Sequence, residues 1–267
     1  MEGKSKIELL RSLFTESDRI VVAFSGGVDS SFLLYALALF KREDVYAVTI
    51  KTPYIPQWEV DEAIKFCKSI NIKHKIISLP IPNNIINNPG DRCYKCKLSL
   101  FSHIKKFASD NDCNIIADGS NKDDISDFRP GMKALSELKV RSPLLEAGFT
   151  KPEIRDSLKE YGLEIWNKPS YACLLTRLPH DDAIEELTLR MVERAELYLA
   201  EKGYPGTRVR LHKNIARLEC QPGYIDRFFN DPARNDIVGY LKSIGIKYVT
   251  LDLEGYISGS MNKKELQ

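Results

Sequence analysis

No run of this 267-residue sequence stays apolar over the length that a bilayer span needs, which sets aside the membrane-spanning helical classes. Charge of one sign is scarce as well: 39 Lys and Arg against 37 Asp and Glu leave a formal net charge of +2. So even a balance creates no strong basic field, and bulk charge does not indicate nucleic acid as a partner. There is no internal repeat and no low-complexity tract. The stretch from Met1 to Arg11 is charged and polar and lacks the apolar core of a secretory signal. Cysteine is sparse, six in all. With no export signal the expected compartment is the cytoplasm, where metal or redox chemistry outranks structural disulfides. The remaining composition, 43% hydrophobic and 28% charged, is that of a soluble globular protein with room for one large or two modest domains.

The chain is organised around residues 20–31. An apolar run from Ile20 to Phe24 ends at Ser25-Gly26-Gly27-Val28-Asp29-Ser30-Ser31, and a helical apolar pattern (Phe32, Leu33, Leu34, Ala36, Leu37, Leu39) follows at once. A strand that enters a helix through glycines exposes backbone N–H groups at the positive end of a helix dipole, which suits a phosphate. Gly26 and Gly27 let backbone and phosphate approach closely. Ser25 and Ser30 add hydroxyls, and Asp29 is placed to help hold a metal ion that bridges phosphates. No Gly-Lys-Ser/Thr follows, and the pattern is not G-x-G-x-x-G, so neither the kinase-type phosphate loop nor the dinucleotide fingerprint is present. Ser-Gly-Gly-Val-Asp-Ser instead resembles the PP-loop of the ATP-pyrophosphatase superfamily, whose members split ATP between the α and β phosphates.

Strand and helix patterns then alternate. Residues 6–14 read as a short amphipathic helix, 45–50 as a strand, 57–70 as a helix and 73–79 as a third strand. This alternation predicts an α/β fold: a parallel sheet with helices on both faces. The end of the second strand, including Thr49, is expected beside the first loop, near adenine and ribose. Residues 80–92, rich in Pro and Asn, read as a loop. Cys93-Tyr94-Lys95-Cys96-Lys97 comes next, then a helix to about 107, a strand over 113–117, and Asp118-Gly119-Ser120-Asn121 at its C-terminal end. Thr150-Lys151-Pro152-Glu153 carries an N-cap, an early proline and a capping-box glutamate for a helix to 161. Residues 166–179 are polar and aromatic and read as a join between domains. Beyond them lie an amphipathic helix at 187–202, a hairpin of 207–211 with 215–220, a helix near 234–244 and a strand near 247–251. One hairpin face carries Val209, Leu211, Ala216 and Leu218; the other carries Arg208, Arg210, Arg217 and Glu219.

Cys93 and Cys96 form a C-x-x-C that puts two thiolates within reach of one metal or cluster. No second C-x-x-C completes a structural zinc site, and Cys173, in another loop-like segment, is the natural third partner. Three cysteines on an iron–sulfur cluster leave one iron without a protein ligand, where an exogenous sulfide can bind. The pair alone also suits a redox dithiol, or a zinc shared with His103 or His180. Cys67, Cys113 and Cys220 lie in expected regular elements and read as buried small hydrophobes.

These motifs stand in an order that resembles the LarE-like, PP-loop ATP-dependent sulfurtransferases. The residues that carry the resemblance are Ser25 to Ser30 and Asn88-Pro89-Gly90-Asp91-Arg92-Cys93-Tyr94-Lys95-Cys96-Lys97. Asp118-Gly119-Ser120-Asn121, Phe128-Arg129-Pro130-Gly131 and Ser142-Pro143-Leu144 follow, then Thr150 to Arg155, Trp166-Asn167-Lys168-Pro169, Cys173-Leu174-Leu175-Thr176-Arg177 and Arg208-Val209-Arg210. The resemblance implies a PP-loop domain over residues 1–178 and a smaller C-terminal α+β domain over 179–267 for substrate or subunit contacts. It implies ATP and Mg²⁺, adenylation of a substrate carboxylate, and sulfur transfer to give a thiocarboxylate on a pyridinium mononucleotide, the precursor of a nickel-pincer nucleotide. Some members sacrifice the sulfur of the cysteine that matches Cys173; others carry the extra C-x-x-C and resemble [4Fe-4S]-dependent enzymes fed by a sulfide donor. With all three cysteines present, the cluster form is expected here. The chain departs at Cys-Leu-Leu-Thr-Arg, where the family more often has small residues before the arginine. Gly119 is expected at the nucleotide, and Arg208, Arg210, Arg217 and Arg177 at substrate phosphate or carboxylates, with Glu219 orienting an arginine; Arg129 is a further candidate. A homo-oligomer is expected. Competing readings are a tRNA thiolation enzyme, an ammonia-using ligase that shares Ser25 to Ser30, and a nucleotide- or metal-sensing protein.

Overall fold

A computed structural model describes residues 5–40, 44–125, 130–169, 171–257 and 260–261. Phe128 and Arg129 of the expected loop lie outside the described residues. The chain forms two compact units, one of Met1–Pro82 with Asp91–Tyr171, the other of Asn83–Gly90 with Ala172–Gln267.

In chain order the first unit contains α1 (Lys6–Ser12), β1 (Ile20–Ala23), α2 (Val28–Leu39), β2 (Val45–Lys51), α3 (Gln57–Ser69), β3 (Lys73–Ser78), α4 (Arg92–Asp110), β4 (Ile115–Ala117), α5 (Pro130–Glu137), α6 (Pro143–Glu146) and α7 (Lys151–Glu160). The four strands form a parallel sheet in the order β3-β2-β1-β4. Period-two alternation in strands that are buried on both sides sends Ile20 and Val22 to one face and Val21 to the other. On the first face Ile20, Val22 and Ala47 pack with Leu10 of α1, Phe32 and Leu33 of α2, Ala63 and Cys67 of α3 and Ile154 of α7. On the second, Val21, Val48 and Ile50 pack with Phe101, Ile104 and Ala108 of α4 and Leu135 of α5. The expected α/β sheet with helices on both faces is therefore present.

The strand order fixes where a ligand belongs. The chain runs outward from β1 to β2 and β3, then returns to place β4 on the other side of β1. The loops after β1 and β4 leave the same sheet edge in opposite directions, which opens a crevice at the switch point. The capping box at α7 forms as expected, with Thr150 N and Oγ1 both donating to Glu153 Oε2 at 2.8 Å.

The second unit holds α8 (Glu186–Glu201), β5 (Arg208–His212), β6 (Ile215–Glu219), α9 (Ile225–Asn230), α10 (Arg234–Ser243) and β7 (Tyr248–Leu251). Its sheet runs β5-β6-β7, antiparallel across the hairpin and parallel between β6 and β7. The units part after Tyr171, before the expected junction at 178, and residues 83–90 pack with the second unit. Asn88 is the reason for that packing: fully buried, its side-chain amide donates to the carbonyls of Leu178 at 3.2 Å and Pro179 at 2.7 Å.

Cys67 is buried in α3, and burial pushes its thiol up to about 12. Cys220 is buried just beyond β6, whereas Cys113 precedes β4 and is only half-buried; burial raises both thiols. Burial also holds the His74 ring below its ordinary 6.5. The unfolded chain then takes the proton first, so the stability held above about pH 6.5 is lost as the pH falls through the lowered value. The thermal midpoint is expected to drop between about pH 7.5 and about pH 5.5. The drop should shrink in His74→Gln; an equal drop in both proteins would show that His74 is not buried neutral.

Candidate active site

β1 hands its last backbone bond to β2 through Phe24 N donating to Val48 O at 2.9 Å, and the chain then turns sharply. Gly26 sits at φ +70°, and a Cβ there would lie 3.3 Å from both Ala63 Cβ and Glu59 O of α3. Conformation and space both demand glycine at this position. Gly27 has an ordinary φ of −82° as the N-cap of α2, and no side chain caps that helix. Its first-turn N–H groups are thus presented at the positive end of a twelve-residue helix. Ser25 Oγ accepts from Gly27 N at 3.3 Å and lies 3.2 Å from Ser30 Oγ, so the two hydroxyls close the loop upon itself.

The loop after β4 forms the facing wall. Gly119 packs so tightly that a Cβ would be 2.7 Å from Ser30 N and 2.9 Å from Ser30 Cα. Its role is therefore close approach to the start of α2. Asp118, buried beside it, accepts from Ser120 Oγ at 2.6 Å and Ser142 Oγ at 2.7 Å. Between these loops lies a cavity of about 490 Å³ that Ser25, Gly27, Asp29 and Ser30 line together with Asp118 and Gly119. Its apolar wall is Val48 and Ile50 of β2 with Leu100, Phe101 and Ile104 of α4, and Lys97 and Tyr171 reach the same space.

Thr49 does not line that cavity. It alternates to the opposite face of β2, where its hydroxyl donates to Phe24 O at 2.8 Å and lies 2.8 Å from His74 Nε2. Its contribution is to fix the carbonyl just before the loop. Asp118 and Lys97 stood in the quoted motifs without a role; their positions at a strand end and in the first turns of a helix were the available signal.

All six cysteines are thiols. Cys93 and Cys96 lie one turn apart at the start of α4, the first exposed and the second half-buried with Tyr54 Oη at 3.1 Å. The spacing puts both thiols on one helix face, within reach of a single metal ion or cluster. Cys173 belongs to the second unit, half-exposed at the N-cap of a short 3₁₀ turn, Leu174–Arg177. Among the described residues no three His, Cys, Asp or Glu side chains form a group able to hold a metal ion.

Most of the charged hairpin face is buried. Arg208, Arg210 and Glu219 are 5%, 4% and 0% exposed. Arg177, 1% exposed, is engaged throughout: Nε and Nη2 donate to Glu196 at 2.9 and 3.0 Å, and Nη1 donates to Ala172 O at 2.7 Å and Cys173 O at 3.1 Å. Arg210 pairs with Glu219 at 2.8 Å and donates to Thr176 O at 2.9 Å. These two arginines hold the turn that carries Cys173. Arg208 lies 3.8 Å from Glu196, and its guanidinium stands over the Tyr256 ring at 5.6 Å. Arg217 keeps 32% of its side chain exposed while pairing with Glu219 and Asp252, each at 3.0 Å.

Comparison with known proteins matches the family model described as "Queuosine biosynthesis protein QueC" to residues 19–89, the strand-loop-helix unit and its continuation. The chain is 35% identical over 263 residues to pyridinium-3,5-bisthiocarboxylic acid mononucleotide synthase of Lactiplantibacillus plantarum, covering 97% of this chain and 94% of that protein. An uncharacterized protein of Synechocystis is 38% identical over 97% of this chain and 98% of its own length. The tRNA-specific 2-thiouridylase MnmA of Halothermothrix orenii is 26% identical over 57% of this chain and 54% of that protein.

Three substitutions separate buried contacts from an exposed one. Gly119→Ala is expected to cost about 1–3 kcal/mol in denaturant unfolding, because backbone must move. Arg177→Met, which strips a buried carboxylate of its partner, is expected to cost about 3–5 kcal/mol. Arg217→Met should cost under about 1 kcal/mol. Equal losses for the two arginines would contradict the difference in burial.

Proposed function

The chain belongs to the LarE-like family of PP-loop, ATP-using sulfurtransferases, and on that premise we propose that it adenylates a carboxylate of a pyridinium mononucleotide and replaces the activated oxygen with sulfur. The observation that carries the reading is the cavity at the switch point, where an uncapped helix start and the Ser25–Ser30 loop face an apolar wall. ATP fits this division of chemistry: triphosphate on the N–H groups and hydroxyls, adenine against Val48, Ile50 and Phe101.

In the proposed reaction a carboxylate oxygen attacks the α-phosphorus and the bond to the bridging oxygen breaks. Pyrophosphate departs onto the N–H groups of Gly26, Gly27 and the first turn of α2 and onto the hydroxyls of Ser25 and Ser30. Asp29 would hold Mg²⁺, which neutralises charge on the phosphates. A carboxylate resists sulfur because its leaving group would be oxide; the acyl-adenylate offers AMP instead. Sulfur then attacks the acyl carbon, AMP leaves with the former carboxylate oxygen, and a thiocarboxylate remains.

Cys93 and Cys96, one turn apart on α4, and Cys173 are the residues that would hold a [4Fe-4S] cluster, which when bound would supply sulfide-level sulfur for the transfer. Arg217, with Arg208 beside it on the same hairpin, would receive substrate phosphate or carboxylate, while Arg177, Arg210 and Glu219 keep the Cys173 turn in place. Among the described residues no helix is long and apolar enough to cross a membrane; the proposal is of a cytoplasmic homo-oligomer served by a sulfide donor. Similarity to a tRNA thiolase over little more than half of each chain gives tRNA weaker support as the acceptor.

A second reading has Cys173 surrender its own sulfur. The half-exposed thiol, held through its backbone by Arg177, is the observation in its favour. Anaerobic purification with iron and acid-labile sulfide analysis separates the two. Cluster chemistry predicts bound iron that is lost in Cys93→Ser while ATP binding survives. Wild-type iron stoichiometry in that variant would refute the ligand assignment, and a protein lighter by one hydrogen sulfide after turnover would select the sacrificial reading. Asp29→Asn is expected to slow AMP formation by about a hundredfold or more while leaving the iron content unchanged; undiminished turnover would remove Asp29 from the mechanism.

A further inference from the structure

Lys168 lies far along the chain from the nucleotide loop, yet its ammonium donates to Gly26 O at 2.7 Å. The same nitrogen is 2.7 Å from Glu62 Oε2 of α3 and stands over the Trp58 ring at 5.4 Å from its centroid. Its side chain is only 14% exposed. Its own backbone is held as well: Arg155 of α7 donates to Lys168 O at 2.9 Å and to Trp166 O. A surface lysine that merely covers a helix would not be fixed at both ends.

The contact bears on one peptide. In a trans peptide the carbonyl oxygen and the amide hydrogen point in opposite directions. With Gly26 O drawn outward onto Lys168, the N–H of Gly27 faces the other way, to the Ser25 hydroxyl at the cavity. Were this peptide turned over, a carbonyl would face the space meant for phosphate oxygens and attraction would become repulsion. A glycine on one side of that peptide, at φ +70°, offers little intrinsic resistance to such a turn. Glu62 already balances the ammonium, so its use here is as an aimed donor and not as a free charge for phosphate.

We propose that Lys168 is a positioning residue for the nucleotide loop: it pins the Gly26–Gly27 peptide in the orientation that offers an N–H to the triphosphate. This rests on the reading that the cavity takes ATP. Trp58, under the ammonium, also meets the Tyr171 ring at 4.8 Å, and Tyr171 lines the cavity. The segment that supplies Lys168 therefore reaches the nucleotide space at a second point.

Equilibrium binding to the full chain tests this with ATP, pyrophosphate and adenosine as probes. Lys168→Met is expected to weaken ATP and pyrophosphate by about tenfold or more while adenosine binding stays within about twofold, and Lys168→Arg should recover most of the loss. Circular dichroism and the thermal midpoint establish that each variant is folded. Unchanged ATP affinity in Lys168→Met, or equal loss for ATP and adenosine, overturns the assignment and leaves the proposed function standing. Wild-type protein that binds neither ATP nor pyrophosphate overturns both.

Discussion

The structure depends on one crowded turn of backbone. Between Ala23 and Val28 the chain leaves a strand, passes a left-handed glycine pressed against α3, and starts a helix whose N-cap is a glycine with no side chain to cap it. Much else follows from keeping that turn open and correctly faced. Thr49 gives up a place in the cavity to hold the Phe24 carbonyl, and Gly119 allows the loop after β4 to lie directly on Ser30. The strand order places both loops at one edge, so fold topology and local sterics select the same crevice.

The second unit is built on the opposite economy, with charges taken inside. Glu219 is fully buried and the Glu196 side chain is only 9% exposed, and each is met by arginine in short hydrogen-bonded pairs. Such pairs contribute little net stability against their desolvation, but they confine geometry once every donor is engaged. Here the confined geometry is the Cys173 turn, whose carbonyls at 172, 173 and 176 are held by Arg177 and Arg210. A family trait read as substrate binding in the sequence is, for those two side chains, first of all a means of holding a cysteine.

Much of this was legible because local rules and tertiary demands agree. The apolar run into Ser-Gly-Gly, the Thr150–Glu153 capping box and the alternating hairpin each carry their own physics, and each forms as expected. What failed to show depends on parity or distance. Thr49 lies at the expected strand end, but side chains alternate, so one residue decides between cavity wall and opposite face. The hairpin's arginines read as one face, yet nothing in an alternating pattern tells whether that face meets water or buried glutamates. Asn88 and Lys168 act on backbone carbonyls far away in sequence, and a carbonyl has no signature in a string of side chains. The two-unit division, with residues 83–90 joining the second, is of that kind.

In the proposed reaction this crevice makes a carboxylate reactive by exchanging it for pyrophosphate on the α-phosphorus. Turnover with a pyridinium mononucleotide whose carboxylates carry ¹⁸O tests it directly, with the phosphorus products read by mass spectrometry. Attack by the carboxylate on the α-phosphorus yields pyrophosphate without label and AMP that has gained one ¹⁸O from the substrate. Label in inorganic phosphate with ADP as the other product, or AMP with no ¹⁸O, would contradict it.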